Sequence, residues 1–527
     1  MRLILLAATM PALLGATLPE TRFAVTLPPT LASDAAGRLL LFAEPAIPAN
    51  ADATEVDTDA SDREGVAVAA RDVSGFGPAR SVTLDAQGMS FPRDFAATAT
   101  GDYRVQVVLD RNGDYGFGGR GPGDLVSKVV TVRFPLASAP SIRLDRVVPP
   151  ATDQFDTTGM SPAGAAQVLA SRPHLHEEYV ASHVLTRFGG TPQSVAVWVL
   201  TPPGYDTTSR TRYPTVYVAN GFGSTHKDEG QLLSRIWKLM AAGEIPPMIW
   251  ATPAYGTPTG TTEFADSVNN GPWGQALVDE IIPALEARYR MDAKPSGRFL
   301  TGHSSGGWFA LWTIVRHPAM FGGSWPTAPD PSDFRDFLGV DLYASGANMY
   351  RDAAGAARPL ERDHDKVLTT IETSARMEAV LGRAGGQLQS FDWVFSPRRV
   401  DGTPAPMFDR ESGAVDPAVV AYWRDHFDIG HLIETEWPRL KHDLDGKVHL
   451  AVGTADSYYL DGPAHRLEAA FRKVEAAADF TFVPNATHGI NSLYARDRDR
   501  AARYKDMARA MYTIARPHAV VQTRSAR

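Results

Sequence analysis

Cysteine is absent from all 527 residues, which excludes a disulfide, a thiolate metal site, a cysteine nucleophile and a lipid-modified cysteine anchor. An excess of positive charge is missing too. With 52 basic against 60 acidic residues and a formal charge of -8, no broad cationic field is available to condense on a phosphate backbone, so nucleic acid is not an expected partner. No apolar run approaches the roughly 20 residues of a membrane span. The longest, Leu3 to Leu14, follows Arg2 and ends at Leu14-Gly15-Ala16. It has the make-up of a cleaved export signal over residues 1–16, with the mature chain starting near Thr17. A periplasmic or secreted protein without a membrane span is expected.

What is present describes a folded protein. Hydrophobic residues at 44%, charged at 21% and aromatic at 9% fit a globular chain, and its length exceeds the roughly 250 to 300 residues at which one core stops growing. From 20 to 150, apolar positions recur at every second residue (Tyr103, Val105, Val107; Val130, Val132, Phe134; Ile142, Leu144) between Gly, Pro and Asp clusters. This predicts an all-β, sandwich-like domain. Residues 151–176 shift toward Thr, Asp, Gly, Pro and Ala and read as a linker. From 177 to 517, strand-like runs such as Thr215 to Ala219, Phe299 to Thr301 and Val448 to Val452 alternate with helical stretches, which predicts a mostly parallel sheet covered on both faces. The helix expected from Trp273 to Tyr289 should bend at Pro283. Residues 518–527 form a tail.

The chemistry concentrates in Gly302-His303-Ser304-Ser305-Gly306, set between a strand and a helix. A serine on so sharp a turn needs small neighbours, here Gly302 and Gly306, and exposes its hydroxyl, so Ser304 is the candidate nucleophile. A serine needs a base, and in this kind of sheet an acid and then a histidine should follow at strand ends. Asp456 follows the strand ending at Val452, and His488 follows the strand ending at Val483. Asp461 and His465 are rivals in less favourable places. Two N–H donors for an oxyanion are expected from Ser305 and from Phe222, in the loop Asn220-Gly221-Phe222-Gly223. Phe264, Trp273, Trp308 and Tyr458 flank these loops and are candidates for substrate binding.

Over Val180 to Tyr512 the chain resembles the putative-esterase branch of the α/β-hydrolases, which takes in feruloyl esterases, enterochelin esterases, S-formylglutathione hydrolases and mycolyltransferases. The resemblance is carried by Tyr213-Pro214-Thr215-Val216-Tyr217, Asn220-Gly221-Phe222-Gly223, Phe264-Ala265-Asp266-Ser267, Glu280-Ile281-Ile282-Pro283, Gly302 to Gly307, His317-Pro318 with Phe321, Gly453 with Asp456, and His488-Gly489. It implies a carboxylic-ester hydrolase whose triad positions match Ser304, Asp456 and His488. Two departures stand out. Asn220 occupies the place where the family usually has His, and the interval from Ser304 to Asp456 is long, so residues 331–441 are expected to insert a cap.

The resulting expectation is an exported serine esterase acting on a small-molecule or glycan-linked ester through an acyl-enzyme. An acyltransferase with the same triad is the alternative, as is, from another class, a surface or glycan-binding protein with a vestigial hydrolase domain. No cofactor or metal is expected. Asp110 to Asp114 begins like a calcium loop, but Tyr115 and Gly121 stand where Gly and Glu are needed, and Asn112-Gly113 reads as a tight turn between strands. His174 with His176, and Asp363-His364-Asp365, sit in polar segments without a third spaced ligand and are expected to face solvent. A fragment starting near Pro173 is expected to carry the whole chemical apparatus.

Overall fold

The computed structural model describes residues 20–31, 35–58, 65–78, 80–92, 94–150, 157, 160–491 and 498–518. The expected export signal, residues 151–156 of the expected linker and nearly all of the tail lie outside the described residues. The chain divides into two units, one made of residues 1–111 and 124–147 and the other of 112–123 and 148–527.

The first unit is all β, with nine strands in one connected sheet. Its centre is Ala35–Pro45, paired antiparallel with both Ala67–Phe76 and Gly101–Asp110. Ser141–Val147 pairs in parallel with Arg22–Thr26 through its first residues and antiparallel with Leu125–Ser127 through its last. One strand thus joins two half-sheets, as at the corner of a sandwich. Because side chains alternate faces, Val105, Val107 and Leu109 point with Leu39 and Leu41 into one core, where the rings of Phe23, Phe95 and Phe134 meet at 5.9–6.4 Å. Asn112-Gly113 does not make the short hairpin expected of it. The strands on either side end at Asp110 and resume at Leu125. Between them a longer loop carries a helical turn, Tyr115–Gly118, and is closed at its base by Asn112 Nδ2 donating to the Pro122 carbonyl (3.0 Å). Its residues 112–123 count with the second unit.

The second unit is built on eight strands: β1 Leu175–Ser182, β2 Gln193–Leu200, β3 Thr215–Ala219, β4 Ile249–Pro253, β5 Arg298–His303, β6 Gly323–Thr327, β7 His449–Gly453 and β8 Asp479–Val483. Their order across the sheet is β1-β2-β4-β3-β5-β6-β7-β8. From β4 onward neighbours run parallel, so the loops leaving β3, β5, β6, β7 and β8 open at one edge, where open α/β sheets gather their ligands. Helices α1 (His226–Ala241) and α4 (Arg498–Ala515) contribute to the core on one face. Helices α2 (Ser305–Arg316) and α3 (Asp461–Lys473) contribute to the core on the other.

Two expectations are refined here. The linker stretch contains a helix, Pro162–Ser171, started by Ser161 accepting from the Gly164 N–H with Pro162 in the first turn. It is fastened by buried Val168 and by a hydrogen bond from Ser171 to Ser234 (2.8 Å), so capping and burial override a loop-like composition. The helix from Trp273 is present and helical throughout, but its hydrogen bonding changes along it, from Trp273–Gln275 through a π-helical Ala276–Ile281 to Ile282–Arg288. Pro283, which lacks an N–H, sits in the first turn of the last piece, and the wider turn before it takes up the missing bond.

Between β6 and β7 the chain forms a hairpin (Pro359–Asp363 with Lys366–Thr370) and helices Ile371–Leu381, Gln387–Phe395, Pro417–Phe427 and Ile429–Leu444. This insertion buries its own rings, Phe334, Phe337, Phe395 and Trp423, and sends Phe395 and Phe427 against Trp308 and Trp312 of α2.

Candidate active site

Ser304 lies between β5 and α2 at φ 58°, ψ -123°, a region that costs a non-glycine residue on the order of 1–3 kcal/mol and persists only when neighbours enforce it. They do so through the backbone. The Ser304 N–H donates to the Thr327 carbonyl (3.0 Å), while its own carbonyl accepts from Trp308 (2.9 Å) and Asp330 (3.2 Å). A Cβ on Gly302 would lie 2.0 Å from the Gly306 oxygen, and one on Gly306 would lie 2.0 Å from the Ala219 oxygen. Both glycines are therefore required by close approach.

The loop after β8 brings His488 to the loop after β7, where Nδ1 of His488 and Oδ2 of Asp456 are 2.9 Å apart. Asp456 is fully buried and also accepts from the N–H groups of Tyr458 (2.9 Å) and Leu460 (3.3 Å). Burial pushes its carboxyl up, but the His488 hydrogen bond and charge together with the two N–H donors outweigh this and bring it below the ordinary carboxylate range. The histidine ring is flanked by Tyr458, edge-on at 4.9 Å, and by His303 at 4.5 Å. Burial, with help from His488, pushes His303 down to about 3, so it stays neutral beside the candidate base. From the insertion, Arg362 donates through Nε to the Asp456 carbonyl (2.9 Å) and through Nη2 to Asp461 (3.1 Å), pinning the acid-bearing loop.

The loop after β3 reaches the elbow at Gly221, where a Cβ would stand 3.0 Å from Cβ of Ser304. The Asn220 peptide is held at both ends: its N–H donates to Glu229 of α1 (3.2 Å) and its carbonyl accepts from the Tyr255 hydroxyl. Burial pushes the Glu229 carboxyl up to about 8, so at neutral pH it holds a proton and adds no negative charge behind the loop. Both the backbone and the side chain of Asn220 engage Glu229, so the residue at 220 is tied to α1 as well as to Tyr255. The N–H of Phe222 has no intramolecular acceptor among the described residues, and that of Ser305 opens α2, where the first N–H groups lack helical partners. The Phe222 ring meets Phe117 edge-on at 5.1 Å.

The structure therefore brings Ser304, Asp456, His488, Phe222 and Ser305 to one edge of the sheet. The four aromatic candidates separate. Tyr458 lies against His488 and Trp273 is half-buried, its indole N–H donating to the Asn270 carbonyl (3.0 Å). Phe264 and Trp308 are corrected to core residues, each 0% exposed. Phe264 is packed among Tyr255, Trp273 and Phe309, and Trp308 is stacked on Trp312, which leaves neither ring a surface for substrate. Asp461 is engaged by Arg362, and His465 is an exposed helix residue stacked on Phe482 at 3.8 Å. His174 stacks on Trp237, and Asp363 pairs with His364. No cluster of three metal-capable side chains occurs among the described residues.

Four residues in or beside the site were missed: Asp330, Glu263, Glu229 and Phe117. Asp330, three residues beyond β6, had a usable signal, an acid just past a strand on the functional edge. Its hydroxyl donors are Ser304 (3.3 Å) and Ser305 (2.6 Å). No hydrogen bond joins Ser304 to His488 in this structure.

Residues 190–353 match the family model described as Putative esterase. No curated protein matches the chain. Similar solved structures include an S-formylglutathione hydrolase from Agrobacterium tumefaciens (14% identity, TM-score 0.36, 64% of this chain and 94% of the other). A CE1 ferulic acid esterase from Anaeromyces mucronatus in complex with ferulic acid is 16% identical (TM-score 0.35, 65% and 89%). A hyperthermophilic esterase from the archaeon Pyrobaculum calidifontis is 12% identical (TM-score 0.39, 67% and 88%). The eight-stranded sheet and the strand-to-helix serine give the second unit an α/β-hydrolase fold, and over residues 190–353 it is similar to the putative-esterase family.

Proposed function

We propose that the protein is an exported serine carboxylic-ester hydrolase that works through an acyl-enzyme. The observation that carries this is the convergence of a strained serine at a strand-to-helix turn with a His488–Asp456 pair from two other strand ends. Rotation of the Ser304 side chain from Asp330 toward His488 lets the imidazole take the hydroxyl proton as Oγ attacks the ester carbonyl. The tetrahedral oxyanion is held by the N–H groups of Phe222 and Ser305, and Asp456 orients and stabilises the imidazolium. His488 returns the proton to the departing alcohol. Water, activated by the same histidine, then releases the acid. Export is supported by the Arg2-led apolar run and the small residues that close it. The substrate class is a small ester, including those attached to a glycan. Ser304→Ala is the direct test: a fluorophosphonate probe should label the wild type at Ser304 and fail on the variant, while p-nitrophenyl acetate turnover falls by several orders of magnitude. Wild-type turnover in the folded variant, with the label mapped elsewhere, refutes the assignment.

A further inference from the structure

The mechanism above leaves two buried acids beside the nucleophile unused. Asp330 is 3% exposed and Glu263 is 1% exposed. Asp330 accepts from both serines of the elbow through different oxygens, 3.3 Å from Ser304 Oγ and 2.6 Å from Ser305 Oγ. Its backbone N–H is tied to the Ser304 carbonyl at 3.2 Å, so the carboxyl and the nucleophile move as one piece. Glu263 stands on the other side of the Ser305 hydroxyl. Its Oε1 accepts from Thr261 (2.8 Å), and the carboxyl also bonds the Ser305 hydroxyl.

We propose that Asp330 is a positioning residue that, while ionised, parks the Ser304 hydroxyl away from His488, so that the nucleophile alternates between a resting acceptor and its base. The proposal rests on the esterase reading. A hydroxyl has one proton and can direct it to one acceptor at a time, and in this structure it points to Asp330. Two carboxyls sharing one buried hydroxyl cannot both ionise at low cost. Glu263 is the one held neutral, raised by burial and then by the charge of Asp330. Asp330 ionises first, pushed up to about 6 by burial. The other titratable groups facing it are His488 and Asp456, from the loops after β8 and β7, and Tyr255, from the segment after β4. Below that range a neutral Asp330 grips the hydroxyl weakly. Above it the bond is charge-assisted, and the serine must break it before it can reach His488.

The test is the rate of fluorophosphonate labelling of the full chain between pH 5 and 9, for wild type and Asp330→Asn. The amide keeps the acceptor and removes the charge. The ratio of variant to wild-type rate should be near one at pH 5 and climb through about pH 6 to roughly tenfold at pH 8. A ratio that stays flat, or falls below one in protein that melts as the wild type does, overturns the proposal. If the amide does not fold, Asp330→Ser carries the same expectation. Failure of the probe to label Ser304 in the wild type would refute the esterase reading itself and this proposal with it. Labelling at Ser304 with a flat ratio would refute the parking role alone.

Discussion

Replacing Gly221 by alanine isolates the oxyanion loop from the rest of the fold. Gly221 does not adopt a left-handed conformation, so alanine meets no backbone penalty. What it meets is the nucleophile: the new Cβ would lie 3.0 Å from Ser304 Cβ, 3.5 Å from Ser304 Oγ and 3.6 Å from the His303 oxygen. Carbon atoms rest about 3.5–4.0 Å apart, so loop and elbow must separate by about 0.5–1 Å. Ser304 is held by three backbone hydrogen bonds, and most of the movement should fall on Gly221 and Phe222. An N–H donor stabilises an oxyanion at about 2.7–3.1 Å, and losing one such donor costs about 10²–10³-fold in kcat. The expected result is a fall in kcat of about 10²-fold for p-nitrophenyl acetate, with KM changed only a few-fold. The melting temperature should stay close to wild type, since the only clash is local. Stopped-flow burst kinetics would place the loss in acylation. Wild-type kcat would refute the reasoning, and so would a collapse in melting temperature. Gly302→Ala is the contrast, because its Cβ would be driven to 2.0 Å from the Gly306 oxygen and 2.8 Å from the Ala219 oxygen, both backbone atoms, and the folded protein should be lost.

Glu229→Gln keeps the acceptor for Asn220 while removing the ionisation. The carboxyl is raised to about 8 from a reference of 4.5, so its contribution to stability is full below about 4.5 and is lost as pH rises through about 8. The variant should melt like wild type near pH 5 and above it near pH 8.5, and parallel melting profiles would contradict this. His488→Ala should abolish ester turnover while His465→Ala, on the exposed face of α3, should leave it unchanged; the reverse pattern would relocate the base. Phe117→Ala removes the ring that braces Phe222 and should lower kcat/KM about tenfold with little change in melting. A chain starting near Pro173 lacks that ring too and should share the defect, and wild-type kcat/KM in either would show that the brace is idle.

Ser304, Asp456 and His488 were legible because each follows a strand-like run whose length and apolar character are written locally, and a parallel sheet then delivers strand ends to a common edge. The period-two runs of the first unit were readable for the same reason. Phe264 and Trp308 misled because nearness along the chain to a catalytic motif is not nearness of the ring to substrate. Helix α2 is buried from Ser305 to Val315, and its tryptophans face rings supplied by an insertion nearly a hundred residues downstream. Glu229 gave no sign of its role, since its partner Asn220 lies in a loop nine residues earlier and only burial distinguishes it from a surface helix acid. The helix at Pro162–Ser171 was hidden in a segment of Thr, Gly, Pro and Ala whose local helix signal is the Ser161-Pro162 start.

The segment 112–123 ties the architecture to the order in which the chain is made. The path passes from one unit to the other at 111/112, at 123/124 and at 147/148, three passages where appended domains have one. No single proteolytic nick can separate the two units and leave both whole. During synthesis residues 112–123 leave the ribosome well before Phe222, Gly256 and Ala384, the residues they pack against. The first unit can close its sheet early, but this loop waits for partners still to be translated. The earliest-made piece of the second unit therefore cannot take its final packing until the chain has been made as far as Ala384.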